Sequence, residues 1–271
     1  MAKVIVIPAR LASQRFPGKL LQDETGWPLI RHTYTRCTQV EGVERVVVAA
    51  DGSVIAEAVE SFGAEAILTD PGLPTGTDRV AAAALELGLD REIDRIVNVQ
   101  GDEPEIDPDH IARLFSLLEG RASPGDSPAG GQAAGACPQV ATLAARMGGG
   151  VAFRDPNRVK VVVGEGGRAL YFSRAPIPYG CEDGGEAAAP VGAPWLLHVG
   201  IYGFRPGALE RFSARGPSPL ERREKLEQLR FLEMGIDVRV GVVGEVCAGI
   251  DSPEDYRRFV ERLREGRNDE R

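Results

Sequence analysis

Short runs of β-branched residues return at intervals along the first 100 residues, each nearly continuous in apolar character. Such runs are typical of strands buried on both faces, and stretches with helical periodicity separate them. Ser53 is expected to cap the second helix and Gly63 to end it. Strands that alternate with helices of this length indicate βαβ units and therefore an α/β fold with a mainly parallel sheet up to about residue 119. The predicted strands are Lys3–Pro8, Arg45–Ala50, Ala64–Leu68 and Arg95–Val99, and the helices are Leu29–Val40, Ser53–Phe62 and Thr77–Leu87.

The second half of the chain is richer in loops. Residues 120–150 contain eight Gly and three Pro, which predicts a mobile loop over 120–139 before a short strand at 140–144. A second flexible loop is expected at 180–194. The remaining expected elements are a hairpin of 159–163 with 169–173, strands at 196–204 and 236–243, and helices at 206–213, at 219–233 and from the Ser252 cap to about 265.

Charge and cysteine usage exclude several classes of protein. With 32 Lys and Arg against 40 Asp and Glu, the net charge of −8 argues against a nucleic-acid partner. The four cysteines form no C-x-x-C pair and the three histidines lack metal-site spacing, which argues against a zinc site or a disulfide scaffold. No apolar run approaches the about 18 residues of a membrane helix, and no signal peptide is evident. A cytoplasmic protein with no membrane contact is therefore expected.

The first candidate site is the loop that follows the first strand, Pro8 to Lys19. Open α/β sheets bind ligands beyond the carboxyl ends of their strands, and this loop lies there. It carries Arg10, Arg15 and Lys19 with no carboxylate, which favours an anionic ligand such as phosphate. It lacks the glycines of the common phosphate-binding loops, and a solvated basic loop remains the alternative.

Two acidic segments are candidates for a metal site. Asp102 and Glu103 follow the fourth strand in a Gly turn with no Lys nearby in sequence, a pattern that suits a hard cation such as Mg²⁺. Asp102 could equally cap the helix that begins near Pro108. Asp251 lies beside the capping Ser252, and helix-start chemistry alone accounts for it.

Further polar residues stand among apolar ones in the second half. They are Arg174, His198 with Tyr202, and Glu227 with Gln228. A lone strand histidine is more often a hydrogen-bonded core residue than a ligand contact, and Glu227 and Gln228 could lie on the wet face of a helix.

Taken in order, seven segments resemble the 3-deoxy-manno-octulosonate (Kdo) cytidylyltransferase, or CMP-Kdo synthetase, family. The segments are Pro8–Lys19, Thr75–Arg79, Val97–Pro104, Leu170–Ile177, His198–Tyr202, Pro217–Arg230 and Gly249–Asp255. The resemblance implies a nucleotide-diphospho-sugar transferase (GT-A/Rossmann-like) fold with a small β-rich lobe, Mg²⁺ dependence and a homodimer. It implies transfer of CMP from CTP to the anomeric hydroxyl of Kdo, with loss of pyrophosphate, for lipopolysaccharide synthesis. The chain would form one domain, with its nucleotide-binding core at about 1–119 and 235–265 and its sugar-binding and dimerisation part at about 140–234.

The resemblance also implies roles for individual residues. Arg10 and Lys19 would stabilise charge during transfer. The expected phosphate contacts are Arg10, Ser13, Arg15 and Lys19, and the expected cytidine contacts are Thr75, Gly76 and Gln100. Pro8 and Ala9 are further expected nucleotide contacts. The expected Mg²⁺ ligands are Asp102 and Asp251, and the expected sugar contacts are Arg174, His198, Tyr202, Glu227 and Gln228.

Three positions depart from the family pattern. Thr75 and Asp78 replace the usual Ser and Glu, and Leu197 stands where an Arg is common. The loss of that Arg near an acidic sugar leaves 8-amino-Kdo or a sialic-type acid as alternative acceptors. A non-catalytic nucleotide-binding protein on the same fold is the alternative from another class.

Overall fold

The structure, a computed structural model, describes residues 1–13, 15–121, 137–148, 151–179, 195–244, 246–247 and 249–269. Most predicted elements are present within a residue or two. The strands are β1 (Lys3–Ala9), β2 (Arg45–Ala50), β3 (Glu65–Leu68), β4 (Arg95–Asn98), β5 (Val140–Met147), β6 (Lys160–Val163), β7 (Ala169–Ser173), β8 (Trp195–Phe204) and β9 (Val238–Val243). The α-helices are α1 (Leu29–Thr38), α2 (Ser53–Glu60), α3 (Gly76–Glu86), α4 (Pro108–Leu118), α5 (Pro206–Ser213), α6 (Pro219–Glu224), α7 (Leu229–Glu233) and α8 (Pro253–Asp269).

The chain divides into two compact units. The first contains residues 1–89, 96–111 and 247–271, and the second contains 90–95 and 112–246. The nucleotide-binding core was expected to include both 1–119 and 235–265. In the structure β9 belongs to the second unit and α8 to the first.

The first unit is built on strands in the order β3-β2-β1-β4, in which β1, β2 and β3 pair in parallel. β1 and β2 pair in parallel from Val4 opposite Arg45 to Ala9 opposite Ala50. Along β1 the side chains of Val4 and Val6 point to one face of the sheet and those of Ile5 and Ile7 to the other, and all four are buried. A strand buried on both faces needs this continuous apolar run, and the parallel pairing brings the loops after the strands to one edge.

The second unit mixes strand directions. β5 runs antiparallel to β8 and parallel to β9, and β6 and β7 form the predicted hairpin. Aromatic side chains fill its core, with the rings of Phe212 and Phe231 stacked at 4.8 Å between centroids. The predicted α/β class with mixed, mainly parallel strand pairing is therefore confirmed.

Several local predictions are wrong. Ser53 is the first residue of α2 and makes no capping bond, because extended Gly52 occupies the cap position. The helix expected over 219–233 is two helices, since Lys225 ends α6 in the left-handed conformation at φ 57°. Glu227 and Gln228 consequently lie in the connection between α6 and α7 and not on a helix face.

The loop predictions have a mixed outcome. The strand expected at 140–144 extends to Met147. Most of the first predicted flexible loop (residues 122–136) and all of the second (180–194) lie outside the described residues.

Among the helices of the described residues, none combines the length and the apolar character needed to cross a bilayer.

Candidate active site

The loop after β1 is held in place by its own backbone and by a neighbouring strand end. Asp51, just after β2, accepts a hydrogen bond from the Leu11 amide through both carboxylate oxygens, at 3.2 and 3.0 Å. The Gly18 amide closes the loop by donating to the Leu11 carbonyl at 3.2 Å. Gly18 adopts φ +67°, which a side chain would strain. These contacts turn the chain so that Lys19 begins a short 3₁₀ segment, Lys19–Leu21.

Lys19 joins the two acidic segments that sequence separates widely. Its Nζ forms an ion pair with Asp102, lies 3.7 Å from Asp251 Oδ1, and donates to the Ile250 carbonyl at 2.8 Å. The Ile250 amide in turn donates to the Asp102 carbonyl at 2.8 Å. Arg15 Nη2 completes the cluster with a 2.8 Å hydrogen bond to Asp251 Oδ1.

This cluster bears on two alternatives that the sequence left open. The loop cations and the Asp102 turn have partners of opposite charge in space, although none lies near them in sequence. Asp102 does not cap α4, because the first turn of that helix is held by Asp107, whose Oδ1 accepts from the Asp109 amide at 2.9 Å. Helix-start chemistry at α8 is carried by Ser252 and Asp255, which leaves Asp251 to the cluster.

A cavity of about 840 Å³ opens over this loop in the first unit. A smaller cavity of about 80 Å³ adjoins the loop as well, and Pro8, Arg10 and Gln100 line both. The larger cavity is also lined by Ala12, Ser13, Arg15, Pro17, Lys19, Leu20, Gly101, Asp102 and Asp251, and the smaller one by Ala9, Leu73, Thr75, Gly76 and Arg79. The predicted phosphate, cytidine and metal residues of this unit thus lie around these two spaces.

The wall of the smaller cavity is ordered by α3 and by the end of β4. Thr75 caps α3: its hydroxyl accepts from the Asp78 amide at 3.1 Å and donates to the Asp78 carboxylate at 2.7 Å. A Cβ at Gly76 would lie 3.4 Å from Gln100 Oε1, so the glycine allows the Gln100 amide to pack against the backbone. Gln100 Nε2 donates to Asn98 Oδ1 at 3.1 Å. This hydrogen bond orients the Gln100 amide so that Oε1 faces away from Asn98 and can accept a hydrogen bond.

The sequence pattern pairs Glu103 with Asp102 as a candidate hard-cation site, whereas the family resemblance names only Asp102 of the two as a metal ligand. Burial, with Asp102 and Asp251 nearby, raises the pKa of Glu103 to about 8, while Lys19 opposes the rise. A Cβ at residue 249 would lie 2.9 Å from Glu103 Oε1, which explains glycine there. This environment favours the protonated form of Glu103.

The donor set suits a hard cation. In the part of the chain that the structure describes, no group of three or more His, Cys, Asp or Glu side chains is arranged to hold a metal. Asp102 and Asp251 nonetheless both reach the ammonium of Lys19, so one cation can serve both carboxylates. Mg²⁺ commonly takes one or two carboxylates and completes its shell with water and phosphate, and the pair fits that requirement.

In the second unit, the half-buried His198 and the buried Tyr202 form a polar pair. Tyr202 Oη lies 2.9 Å from His198 Nε2, and the Phe172 ring meets the imidazole edge-on at 5.1 Å. Burial lowers the pKa of His198 to about 3. Burial, assisted by the charge of Glu227, raises the pKa of Tyr202 well above its usual value. Both side chains are therefore neutral at physiological pH.

The other predicted sugar residues of this unit surround the α6–α7 connection. Arg174 Nε donates to the Glu224 carbonyl at 2.8 Å and its Nη1 to the Pro156 carbonyl at 2.9 Å. Gln228 is 3% exposed, and its Nε2 is buried without a hydrogen-bond partner among the described residues. Because an unpaired buried amide is costly, Gln228 is poised to donate to a ligand.

Cations and paired carboxylates at the carboxyl edge of a parallel sheet define a nucleotide-binding α/β protein built for phosphoryl-type transfer. The cytidylyltransferase family profile matches residues 4–238. A 3-deoxy-manno-octulosonate cytidylyltransferase of Anaeromyxobacter sp. (strain K) is 45% identical over 254 residues, 94% of each chain. One from Nitratidesulfovibrio vulgaris (strain DP4) is 42% identical over 262 residues, 96% of this chain and 95% of the relative.

Solved structures agree with these sequence relatives. CMP:2-keto-3-deoxy-manno-octonic acid synthetase complexed with CTP superimposes with a TM-score of 0.83 at 36% identity, covering 98% of this chain and all of the other. The chain belongs to the cytidylyltransferase family, within its 3-deoxy-manno-octulosonate branch. It is therefore a nucleotidyltransferase.

Proposed function

We propose that the protein transfers CMP from CTP to the anomeric hydroxyl of Kdo, giving CMP-Kdo and pyrophosphate for lipopolysaccharide synthesis. The observation that carries this proposal is the Lys19-centred cluster, in which Asp102 and Asp251 face the cations of the Pro8–Lys19 loop across one cavity. Relatives at 41–46% identity are named for this reaction.

CTP would bind with its phosphates against the loop. Arg10, Ser13, Arg15 and Lys19 all line the larger cavity, and three of the four are cationic. Charge-assisted contacts of this kind are strong in a partly desolvated site. The ion pairs that Arg15 and Lys19 make with Asp251 and Asp102 would be exchanged for phosphate contacts when the nucleotide binds.

The base would lie in the smaller cavity. Pro8, Ala9, Thr75 and Gly76 offer backbone and apolar surface there, and Gln100 offers an oriented amide. Gln100 Oε1 accepts hydrogen bonds, and the exocyclic amino group of cytosine donates them. Uracil has a carbonyl at that position, so the same contact would disfavour UTP.

Mg²⁺ is the metal we propose for Asp102 and Asp251. When bound, it would neutralise triphosphate charge and polarise the attacking oxygen. Lys19, released from the carboxylates, would then stabilise charge on the leaving phosphates together with Arg10. Pairing with Lys19 keeps the two carboxylates together before nucleotide arrives.

The sugar would be held by the second unit. Gln228 Nε2 and the Tyr202 hydroxyl are uncharged donors suited to hydroxyl and carboxylate oxygens, and Arg174 and Glu227 would add charge. Leu197 lies one residue before His198 where the family commonly has an Arg, which keeps a related acidic sugar as the second candidate acceptor.

The proposed reaction is a single in-line displacement. The anomeric oxygen attacks the α-phosphorus of CTP and releases its proton to solvent, while the bond from the α-phosphorus to the oxygen that bridges to the β-phosphate breaks. Pyrophosphate leaves with that bridging oxygen. Transfer of this type depends on positioning and charge stabilisation, for which the loop cations and the carboxylate pair are suited. No covalent enzyme intermediate is required.

We also propose a homodimer and a cytoplasmic location. The homodimer follows from the family resemblance and is measured by light scattering of the purified protein. Support for a reducing compartment comes from the free thiols of Cys37, Cys137 and Cys247.

The decisive experiment measures pyrophosphate release with CTP, Mg²⁺ and Kdo, omitting each in turn. Release should require all three. Asp102→Asn should lower kcat by at least about 10²-fold, as expected for loss of a preorganised charge-stabilising group. Asp107→Asn is the matched control, because Asn also caps helices, and it should keep near-normal turnover.

Other outcomes would redirect the proposal. Near-normal kcat in folded Asp102→Asn would refute its role. Faster turnover of 8-amino-Kdo or a sialic-type acid in a substrate panel would change the acceptor. CTP binding without pyrophosphate release with any acceptor would favour the non-catalytic alternative.

A further inference from the structure

Thr142 on β5 faces an irregularity in β8. Thr142 pairs with Tyr202, whereas the next residue, Leu143, pairs with Val199. Gly200 and Ile201 of β8 therefore form a bulge opposite two consecutive residues of β5. Thr142 is fully buried, and its Oγ1 lies 2.9 Å from the Ile201 carbonyl oxygen and 3.2 Å from that of Val199. The single hydroxyl hydrogen is directed to the nearer of these two carbonyls, that of Ile201.

The same oxygen also contacts the imidazole of His198. Thr142 Oγ1 lies 3.1 Å from His198 Nε2. A threonine hydroxyl has one hydrogen and two lone pairs, and a carbonyl can only accept. With its hydrogen directed to the Ile201 carbonyl, Thr142 can only accept from His198, so Nε2 must carry the proton and Nδ1 must be bare.

This arrangement also determines what Tyr202 can do. Its Oη lies 2.9 Å from the same Nε2, which is a donor. The single Nε2 hydrogen is then shared between Thr142 Oγ1 and Tyr202 Oη, so Tyr202 accepts from the imidazole and its own hydroxyl hydrogen points elsewhere. In the opposite tautomer Tyr202 would donate to a bare Nε2, and Thr142 would meet that nitrogen with no hydrogen between them.

We propose that Thr142 is a positioning residue that holds His198 in the Nε2-protonated tautomer, so that the sugar meets a hydroxyl donor at Tyr202 and an acceptor at His198 Nδ1. The part that concerns the sugar rests on the proposed function. The low pKa of His198, caused by burial, keeps the ring neutral, so that its tautomer remains defined across physiological pH.

The tautomer can be read directly by ¹⁵N NMR of histidine-labelled protein. The chain has three histidines, and the His198 signals are those that disappear in His198→Gln. In the unmodified protein, Nε2 should give a pyrrole-type shift and Nδ1 a pyridine-type shift. The opposite assignment would overturn the proposal without any mutation of Thr142.

Variants of Thr142 test the cause. Thr142→Val removes the acceptor at similar size and should shift His198 toward the Nδ1-protonated form, because Tyr202 is then free to donate. Thr142→Ser keeps the hydroxyl and should restore the original tautomer. Thr35→Val, which also removes a hydroxyl bonded to a backbone carbonyl at 2.8 Å, should leave the His198 signals unchanged. An unchanged tautomer in folded Thr142→Val would refute the proposal.

Kinetics separate this inference from the proposed function. Thr142→Val should raise KM for Kdo by about tenfold, the effect of one misdirected polar contact, and leave KM for CTP unchanged. Thr142→Ser should recover most of that loss. If the unmodified protein does not turn over Kdo, the proposed function fails while the tautomer measurement still decides the role of Thr142.

Discussion

The buried ion pair between Arg230 and Glu221 offers a quantitative test of what holds the second unit together. The two side chains are 2% and 9% exposed, and they bond in parallel through Arg230 Nε and Nη2 at 2.7 and 2.6 Å. Arg230 Nη1 also donates to the Phe212 and Arg215 carbonyls, and its guanidinium lies 3.6 Å from the Phe212 ring centroid. Arg230→Met keeps much of the packing and leaves Glu221 as a buried charge whose remaining hydrogen-bond donor, among the residues that the structure describes, is the Ser218 amide.

The expected cost follows from that unpaired charge. Removing one partner of a buried pair typically destabilises by about 3–5 kcal/mol. The Glu221→Gln/Arg230→Met double variant has no charge at either of these two buried positions and retains an acceptor for the Ser218 amide. Its expected cost is only about 1–2 kcal/mol, since replacing both partners of such a pair is far less costly.

Urea unfolding followed by tryptophan fluorescence provides the assay. The chain has two tryptophans, and in a Trp27→Phe background the buried Trp195 reports on the second unit alone. The free energy of unfolding is compared for the single variants and the double variant. A cost below about 1 kcal/mol for Arg230→Met, or a double variant no more stable than that single variant, would refute the reasoning.

Three further predictions concern burial. The pKa of His198 is lowered from 6.5 to about 3, so the protein should lose about 2 kcal/mol of stability as pH falls from 6.5 to 5. His198→Gln should abolish this loss, and the control His110→Gln should retain it. The pKa of Glu103 is raised from 4.5 to about 8, so the free energy of unfolding falls as pH rises through that window. Between pH 5 and 8, the stability of Glu103→Gln relative to the unmodified protein should therefore increase by about 2–4 kcal/mol. Urea unfolding at several pH values measures both effects. If the Gln variant at position 198 or 103 showed the same pH dependence as the unmodified protein, the prediction for that residue would be wrong. Gly203→Ala places a Cβ 2.9 Å from Leu118 Cδ1 and should cost about 1–3 kcal/mol by thermal unfolding, where an unchanged Tm would show that the core adapts.

The regular elements could be predicted because their signals are local. The apolar run of β1 and the helical period of α1 each specify an element without reference to the rest of the chain. The break between α6 and α7 could not, because it occurs at Lys225, a residue with good helix propensity that carries no glycine or proline signal. There the burial of Leu226 and Gln228 overrides local preference.

The candidate site was predictable only in part, for the same reason. The types of residue in the Pro8–Lys19 loop and the Asp102 turn indicate phosphate and metal chemistry by themselves. Their pairing does not, because Lys19 and Ile250 are 231 positions apart and meet only once the fold has formed. Thr142 gave no signal at all, since within an apolar strand a threonine is an ordinary β-former.

The link between Ile250 and Asp102 has a consequence for how the protein is made. The first unit is discontinuous, and its acidic cluster needs residues that leave the ribosome after the entire second unit. A nascent chain can therefore form β1 and β2 early, but Lys19 has only one of its carboxylate partners until Asp251 emerges. The cluster around Lys19 is therefore complete only once Asp251 has been synthesised, and a chain that stops within the second unit lacks it.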